Sequence, residues 1–128
     1  MIPPQVGLAA RFDKPAVQLV QVGPATFLLL VNNLGNLEDA YKATIAGITG
    51  PITASLLDLN GRPSKEVPLF RLPGLATGAI LLKTRLTAPK QGKVTVQVRS
   101  LKNQQLVATA TATVTTKVKR RGRRLGPG

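Results

Sequence analysis

Carboxylates are the side chains with the most evident capacity for chemistry here, because histidine and cysteine are both absent from the sequence. The 128 residues contain five acids: Asp13, Glu38, Asp39, Asp58 and Glu66. A paired-carboxylate hydrolase needs two acids that face one cleft, whereas Glu38 and Asp39, as neighbours on a strand, would point to opposite faces. With no imidazole or thiol to serve as base or nucleophile, the sequence predicts a protein that is not an enzyme.

A metal site has few candidate ligands. Asp13, Asp39 and Asp58 could supply oxygens to calcium only if the fold brought them together, and a calcium site takes about six or more oxygen ligands. A glycine-rich phosphate loop is not apparent either, because Gly74 and Gly78 stand apart from each other. We therefore expect no metal and no cofactor.

Positive charge is concentrated near the C-terminus. The chain has 18 Lys and Arg residues against 5 Asp and Glu residues, which gives a net charge of +13. Six of the cations lie in the segment KVKRRGRR: Lys117, Lys119, Arg120, Arg121, Arg123 and Arg124. Such a cluster favours anionic partners, and each phosphate contact would steepen the salt dependence of nucleic-acid binding.

Residues 117–128 are accordingly interpreted as a flexible basic tail, and two interpretations of its role stay open. The tail is a nonspecific anion-binding contact for nucleic acid or an acidic polymer, or it is inert. An inert tail would be a solvated end, a linker to a neighbouring domain or the flank of a removed membrane anchor. Aromatic residues that could stack on bases are few, so sequence-specific recognition is disfavoured.

Strand-length segments separated by proline and glycine make up residues 1–116. Their apolar residues alternate with period two, and no helical periodicity is visible. The segment TFLLLV is apolar on both faces, which is typical of a strand in the middle of a sheet. We therefore predict one all-β domain, an immunoglobulin-like β-sandwich of about seven to nine antiparallel strands. The predicted core comprises Phe27, Leu29, Val31, Tyr41, Ile45, Leu82, Val94, Val96 and Val98.

Two local patterns predict details of the strand pairing. The apolar phase of AVQLVQVG shifts between Leu19 and Val20, which indicates a bulge or a strand that crosses between sheets. Asn60 and Gly61 follow ITASLLDL and predict a hairpin whose returning strand is KEVPLF. Pro68 in that strand favours an edge position, because proline cannot donate a ladder hydrogen bond.

An alternating row near the end of the domain raises the question of self-association. Ala108, Ala110 and Ala112 share one face of the segment ATATATV, and threonines occupy the other face. If this strand lay at a sheet edge, it could pair with another copy of the chain. An ordinary solvent-facing threonine row is the alternative.

The stretch VNNLGNLEDAYKATIAG, which follows the apolar strand, is predicted to be a structural turn. Asn33 can close the turn through side-chain bonds to the backbone, and Gly35 can supply a positive φ. Asp39 can accept hydrogen bonds from loop amides, while Tyr41 anchors the loop to the core. The alternative, in which Glu38 and Asp39 are catalytic or calcium-binding, is disfavoured by their alternation.

This same stretch resembles the signature turn of bacterial and archaeal immunoglobulin-like modules that are appended to surface proteins and glycoside hydrolases. The matching positions are Val31, Asn33, Gly35, Asn36, Asp39 and Tyr41. The Pro73–Gly74 pair and the strand that ends in Ala88–Pro89 resemble later elements of the family, and the similarity spans roughly residues 7–116.

The resemblance implies a non-catalytic structural or interaction module of a cell-surface or extracellular protein or assembly, such as a filament, a sheath or an adhesin. Its partner would be another protein or neighbouring copies of itself, and no small-molecule substrate is expected. The N-terminal residues show no basic region followed by a long apolar segment. No apolar run approaches the roughly 20 residues of a membrane-spanning helix.

Overall fold

The computed structural model describes residues 7–57 and 61–116, with only the backbone described for residues 68–70. The described residues form ten strands: β1 (Leu8–Phe12), β2 (Ala16–Leu19), β3 (Gly23–Asn33), β4 (Asp39–Thr49), β5 (Ile52–Leu57), β6 (Pro63–Ser64), β7 (Glu66–Leu72), β8 (Thr77–Leu86), β9 (Gly92–Ser100) and β10 (Val107–Thr116). One sheet has the order β1-β3-β8-β5-β6 and the other the order β2-β10-β9-β4-β7. No helix capable of spanning a membrane occurs in these two ranges. The all-β prediction is confirmed.

The core lies between the two sheets and is built from the alternating residues of the longest strands. Phe27, Leu29 and Val31 face it from β3, and the three valines of β9 face it from the other sheet. The rings of Phe12 and Phe27 meet edge to face, with their centroids 5.7 Å apart. The predicted core residues are buried except Ile45, which is only half-buried. A register shift between Ile45 and Gly47 disturbs the alternation of β4 at this point.

The two N-terminal strands lie in different sheets and make one parallel pair. With the two-residue β6, the described residues have one strand more than the upper number predicted. β1 pairs antiparallel with β3, whereas β2 pairs parallel with β10. The crossing lies between Phe12 and Ala16, earlier than the phase shift at Leu19 and Val20 suggested. Backbone bonds hold both sides of it: Asp13 N donates to Leu28 O over 2.9 Å, and Thr113 N donates to Pro15 O over 2.8 Å.

The chain returns antiparallel to β5 after Gly61, as predicted, but the returning strand is β6 and not KEVPLF. β5 pairs with β8 and with the two-residue β6, while β7 lies in the opposite sheet beside β4. The chain crosses between the sheets at Lys65, whose carbonyl accepts a bond from Ile45 N over 3.0 Å. The crossing places Leu56 and Val67 in the core from opposite sides. Asn60 lies outside the described residues.

The edge position predicted from Pro68 is confirmed, because β7 is the last strand of its sheet. Tyr41 pairs with Phe70 and Ala43 with Val67, so two residues of β7 face one residue of β4. Pro68 is one of the two bulged residues. Proline is tolerated here because a bulge leaves a residue out of the ladder.

The alanine–threonine strand is not a simple sheet edge. β10 pairs along Val107–Val114 with β9, and its last four residues also pair with β2. Ala112 is buried, whereas Thr109 and Thr111 are exposed. β2 therefore occupies the edge of β10 at its C-terminal end, where it blocks pairing with another copy.

Candidate interaction surfaces

The carboxylates are spread over the molecule. Asp13 follows β1, Asp39 begins β4 and Glu66 begins β7. In residues 7–57 and 61–116, no group of three acids is close enough to hold a metal ion. Asp58 lies outside these ranges, as do the six tail cations Lys117, Lys119, Arg120, Arg121, Arg123 and Arg124.

Asn33 joins two loops at one end of the sandwich. Its buried Nδ2 atom lies 2.8 Å from Leu37 O, 3.1 Å from Leu72 O and 3.1 Å from Pro73 O. Its Oδ1 atom accepts a bond from Gly35 N over 3.0 Å. One side chain thus ties the β3–β4 loop to the end of β7.

A second buried polar pair holds the β9–β10 loop to the same end. Ser100 Oγ donates to Asp39 Oδ2 over 2.7 Å, and Asp39 Oδ1 accepts from Ala40 N over 2.7 Å. The hydroxyl also accepts from Lys102 N over 3.2 Å and from Asn103 N over 3.0 Å. Ser100 was not predicted as a site residue. Its signal is a polar residue at the next inward position after the three valines of β9.

Burial controls the ionisation of Tyr41. Its side chain is fully buried in the core, two residues from Asp39. Burial, and secondarily the negative charge of Asp39, raise the pKa of Tyr41 to about 12. The phenol is therefore neutral throughout the physiological pH range.

The loops at this end touch one another closely. Leu75 N donates to Gly35 O over 2.9 Å, and a Cβ atom at Gly74 would lie 2.5 Å from the carbonyl carbon of Asn36. Only glycine fits at position 74. The left-handed residue of the region is Leu75, with φ of 63°, and not Gly35 as the sequence suggested.

Four leucines protrude from these bonded loops. They form what is called the leucine end: Leu34, Leu37, Leu75 and Leu101, with exposed fractions from 36% to 74%. Leu101 N is bonded to Ala40 O over 2.8 Å, which fixes the third loop to the others. A single exposed leucine is ordinary, but several on adjoining loops make this end a candidate interaction surface.

The opposite end of the sandwich also carries exposed apolar residues. β3 starts and β4 finishes at this end, which is called the valine end: Val20, Val22 and Ile48, with exposed fractions from 39% to 84%. Exposed apolar side chains thus occur at both ends of the long axis of the strands.

Comparison with known proteins supports the fold class. No protein-family profile and no curated protein matches the sequence. The secreted serine protease VesC from Vibrio cholerae superposes with a TM-score of 0.58 at 19% identity, covering 88% of this chain and 23% of VesC. The N-terminal domain of PorA superposes with a TM-score of 0.53 at 12% identity, covering 88% of this chain and 98% of that domain.

A weaker similarity, with a TM-score of 0.48 at 9% identity, involves a PapD-like domain of human CEP192 and covers 88% of this chain and 86% of that domain. This chain spans less than a quarter of the length of VesC, 23%. At these identities the likeness concerns the fold alone. The chain is an immunoglobulin-like β-sandwich, as its resemblance to the bacterial and archaeal modules implied.

Proposed function

We propose that the chain is a non-catalytic interaction module of a cell-surface or extracellular assembly, such as a filament or a sheath, and that its two ends are the contact surfaces. The observation that carries this proposal is the leucine end. Burying its four side chains against a neighbour would contribute roughly 25 cal/mol for each Å² of apolar surface removed from water.

The backbone of Leu75 supports a role in binding. A leucine with φ of 63° is strained by about 1 kcal/mol or more, and Leu75 is too exposed to recover that energy by packing within the monomer. Strained residues persist where function retains them. Contact with a partner would give this leucine the burial that the isolated domain does not.

The rigidity of the leucine end favours association further. Asn33 and the Asp39–Ser100 pair hold the loops in one arrangement through buried hydrogen bonds. Loops that are already ordered lose little conformational entropy on binding, so more of the burial energy remains as affinity.

Contact between unlike ends would produce a filament. If the leucine end of one copy packs on the valine end of the next, the interface is heterologous, and a heterologous interface that does not close into a ring continues as a chain. Neighbouring copies of this chain are therefore the proposed partner.

Sedimentation of two complementary variants tests this assembly. Leu34→Ser/Leu75→Ser destroys the leucine end, and Val20→Ser/Val22→Ser destroys the valine end. We expect the full chain to form concentration-dependent oligomers that persist in high salt, because apolar contacts are not screened. Each variant alone should stay monomeric, and a mixture should form dimers, since each variant keeps the end that the other lacks.

The control is Leu81→Ser, which removes an exposed leucine from the outer face of β8. It should assemble like the unaltered chain. A monomeric full chain would refute assembly through the ends. If the valine-end variant dimerised by itself, like ends would be in contact and the filament geometry would be wrong.

The basic tail supports a second candidate function, nonspecific anion binding. Its charge density is the supporting observation, since six cations occur between positions 117 and 124. A salt titration of nucleic-acid binding should compare the full chain with one whose six tail cations are replaced by glutamine. Steeply salt-dependent binding that disappears in the variant would support this function, and equal binding by both would exclude the tail.

A further inference from the structure

The outer face of the first sheet brings together cations that are distant in sequence from the hydroxyls beside them. Lys83 and Arg85 are successive outward residues of β8, a strand paired on both sides. Thr26 of β3 and Ser55 of β5 lie opposite Lys83. Pro24 and Thr53 lie opposite Arg85 in the same two strands.

These six residues line a groove of about 300 Å³. Thr84 and Ala54 contribute the rest of its lining, and no carboxylate is among the lining residues. The Thr84 hydroxyl donates inward to Ala25 O over 2.8 Å, so it is not among the donors available to a ligand in the groove. The cross-strand neighbours of both cations are uncharged, so neither cation is neutralised by a residue paired with it.

This combination of groups suits a tetrahedral oxyanion. A guanidinium presents a planar fork of donors to two oxygens at once, whereas an ammonium acts as a compact point charge. Hydroxyls on both flanks can rotate to donate to further oxygens. Successive outward residues of a strand are about 7 Å apart, so the two cations can hold one oxyanion jointly or two neighbouring groups of a polymer.

We propose that this groove binds the sulfate or phosphate groups of an acidic polymer. The site lies on the outer face of one sheet, beside the valine end, because Pro24 is two residues from Val22 and Arg85 is two residues from Thr87. Its lining includes no exposed apolar residue of either end. It also differs from the tail, because its cations are held by a central strand and flanked by hydroxyls.

The test uses the full chain with its six tail cations replaced by glutamine, so that the tail does not mask the groove. Binding is followed by fluorescence anisotropy with labelled dextran sulfate and with labelled polyphosphate. Lys83→Gln/Arg85→Gln removes the cations of the groove. Lys93→Gln/Arg71→Gln removes the same charge from exposed positions on the opposite sheet.

We expect the groove variant to lose about tenfold or more in affinity and the matched control about twofold or less, since a localised cation contact is worth more than a general change in charge. Equal losses in the two variants would show diffuse attraction and overturn the proposal. So would failure of the tail-neutralised chain to bind either polymer. The polymer that binds more tightly shows whether the groove prefers sulfate groups or phosphate groups.

Amide chemical shifts provide an independent readout. Addition of inorganic sulfate or phosphate should shift the amide signals of Thr26, Thr53 and Ser55, and the Lys83→Gln/Arg85→Gln variant should abolish these shifts. Thr111, an exposed threonine of the other sheet, serves as the reference. Shifts of similar size at Thr111 would contradict a localised site.

Discussion

The two ends of the sandwich both expose apolar side chains, but different bonds hold their loops. At the leucine end, the buried side chains of Asn33, Asp39 and Ser100 join loops from distant parts of the chain. At the valine end, Thr87 N and Oγ1 both donate to Pro51 O, over 2.8 and 3.0 Å, and the hydroxyl bond is exposed. Gly50 shapes the adjoining turn with φ of 86°.

The difference shows which hydrogen bonds each surface depends on for its stability. A buried donor that loses its partner pays the full cost of desolvation, whereas an exposed one is satisfied by water. The leucine end therefore depends on a few polar side chains, and the valine end depends mainly on its backbone. Substitutions at corresponding places in the two ends should therefore lower the free energy of unfolding by unequal amounts.

The largest expected effect is that of Asn33→Ala. It leaves the carbonyls of the two loops and the amide of Gly35 without their partner, and at roughly 1 kcal/mol for each of the four lost bonds the free energy of unfolding should fall by about 4 kcal/mol. Chemical denaturation measures this change. Hydrogen exchange should also rise in the loops of the leucine end.

Thr87→Ala is the matched substitution at the valine end. Because its hydroxyl bond is exposed, the free energy of unfolding should change by only about 0.5 kcal/mol. If the two alanine variants lost similar stability, the proposed contrast between the ends would be wrong.

An intermediate effect is expected from the ionisation of Tyr41. Folding raises its pKa from 10.0 to about 12, so the stabilisation by the neutral phenol is complete below pH 10 and is lost as the pH rises towards 12. In this interval the free energy of unfolding should fall by about 1.4 kcal/mol for each pH unit. Denaturation curves at increasing alkaline pH measure the slope.

Tyr41→Phe is the control for this titration, because it keeps the ring and removes the ionisable group. The variant should show a shallower loss of stability over the same interval. Parallel slopes for the variant and the unaltered chain would show that the alkaline loss of stability does not come from Tyr41.

A small effect of the opposite sign is expected from Leu75→Asn. Asparagine tolerates a positive φ better than leucine does, so the free energy of unfolding should rise by up to about 1 kcal/mol in thermal or chemical denaturation. Assembly through the leucine end should weaken in the same variant. A loss of stability would indicate that Leu75 packs within the monomer, which would remove the argument drawn from its strain.

Much of the fold prediction rested on the local alternation of apolar and polar residues. The inward positions of β3 and β9 follow directly from a period of two, because successive side chains of a strand point to opposite faces. Pro68 indicated an edge for a similarly local reason, the missing amide hydrogen. Ile45 packs against the core as expected but is only half-buried, because a bulge follows it in β4. Gly47, a glycine inside a strand pattern, is the local signal of that bulge.

The site was predictable only in part. Asn33 and Asp39 stood out as polar residues between apolar strands, but their partners at Leu72 and Ser100 are 39 and 61 positions away in sequence. Ser100 could have been found by extending the valine alternation of β9 by one more step. The exposure of the four leucines could not have been found in this way, because a leucine near a strand end can also be buried.

The sequence by itself determined which residues of each strand face the core, because that choice depends on the geometry of adjacent residues. Tertiary structure alone decided which strands became neighbours. β7 lies in the other sheet and is not the returning strand of the hairpin with β5, because the crossing at Lys65 allows both Leu56 and Val67 to be buried. The groove has the same origin: Thr26, Ser55 and Lys83 meet through strand register, which no local pattern encodes.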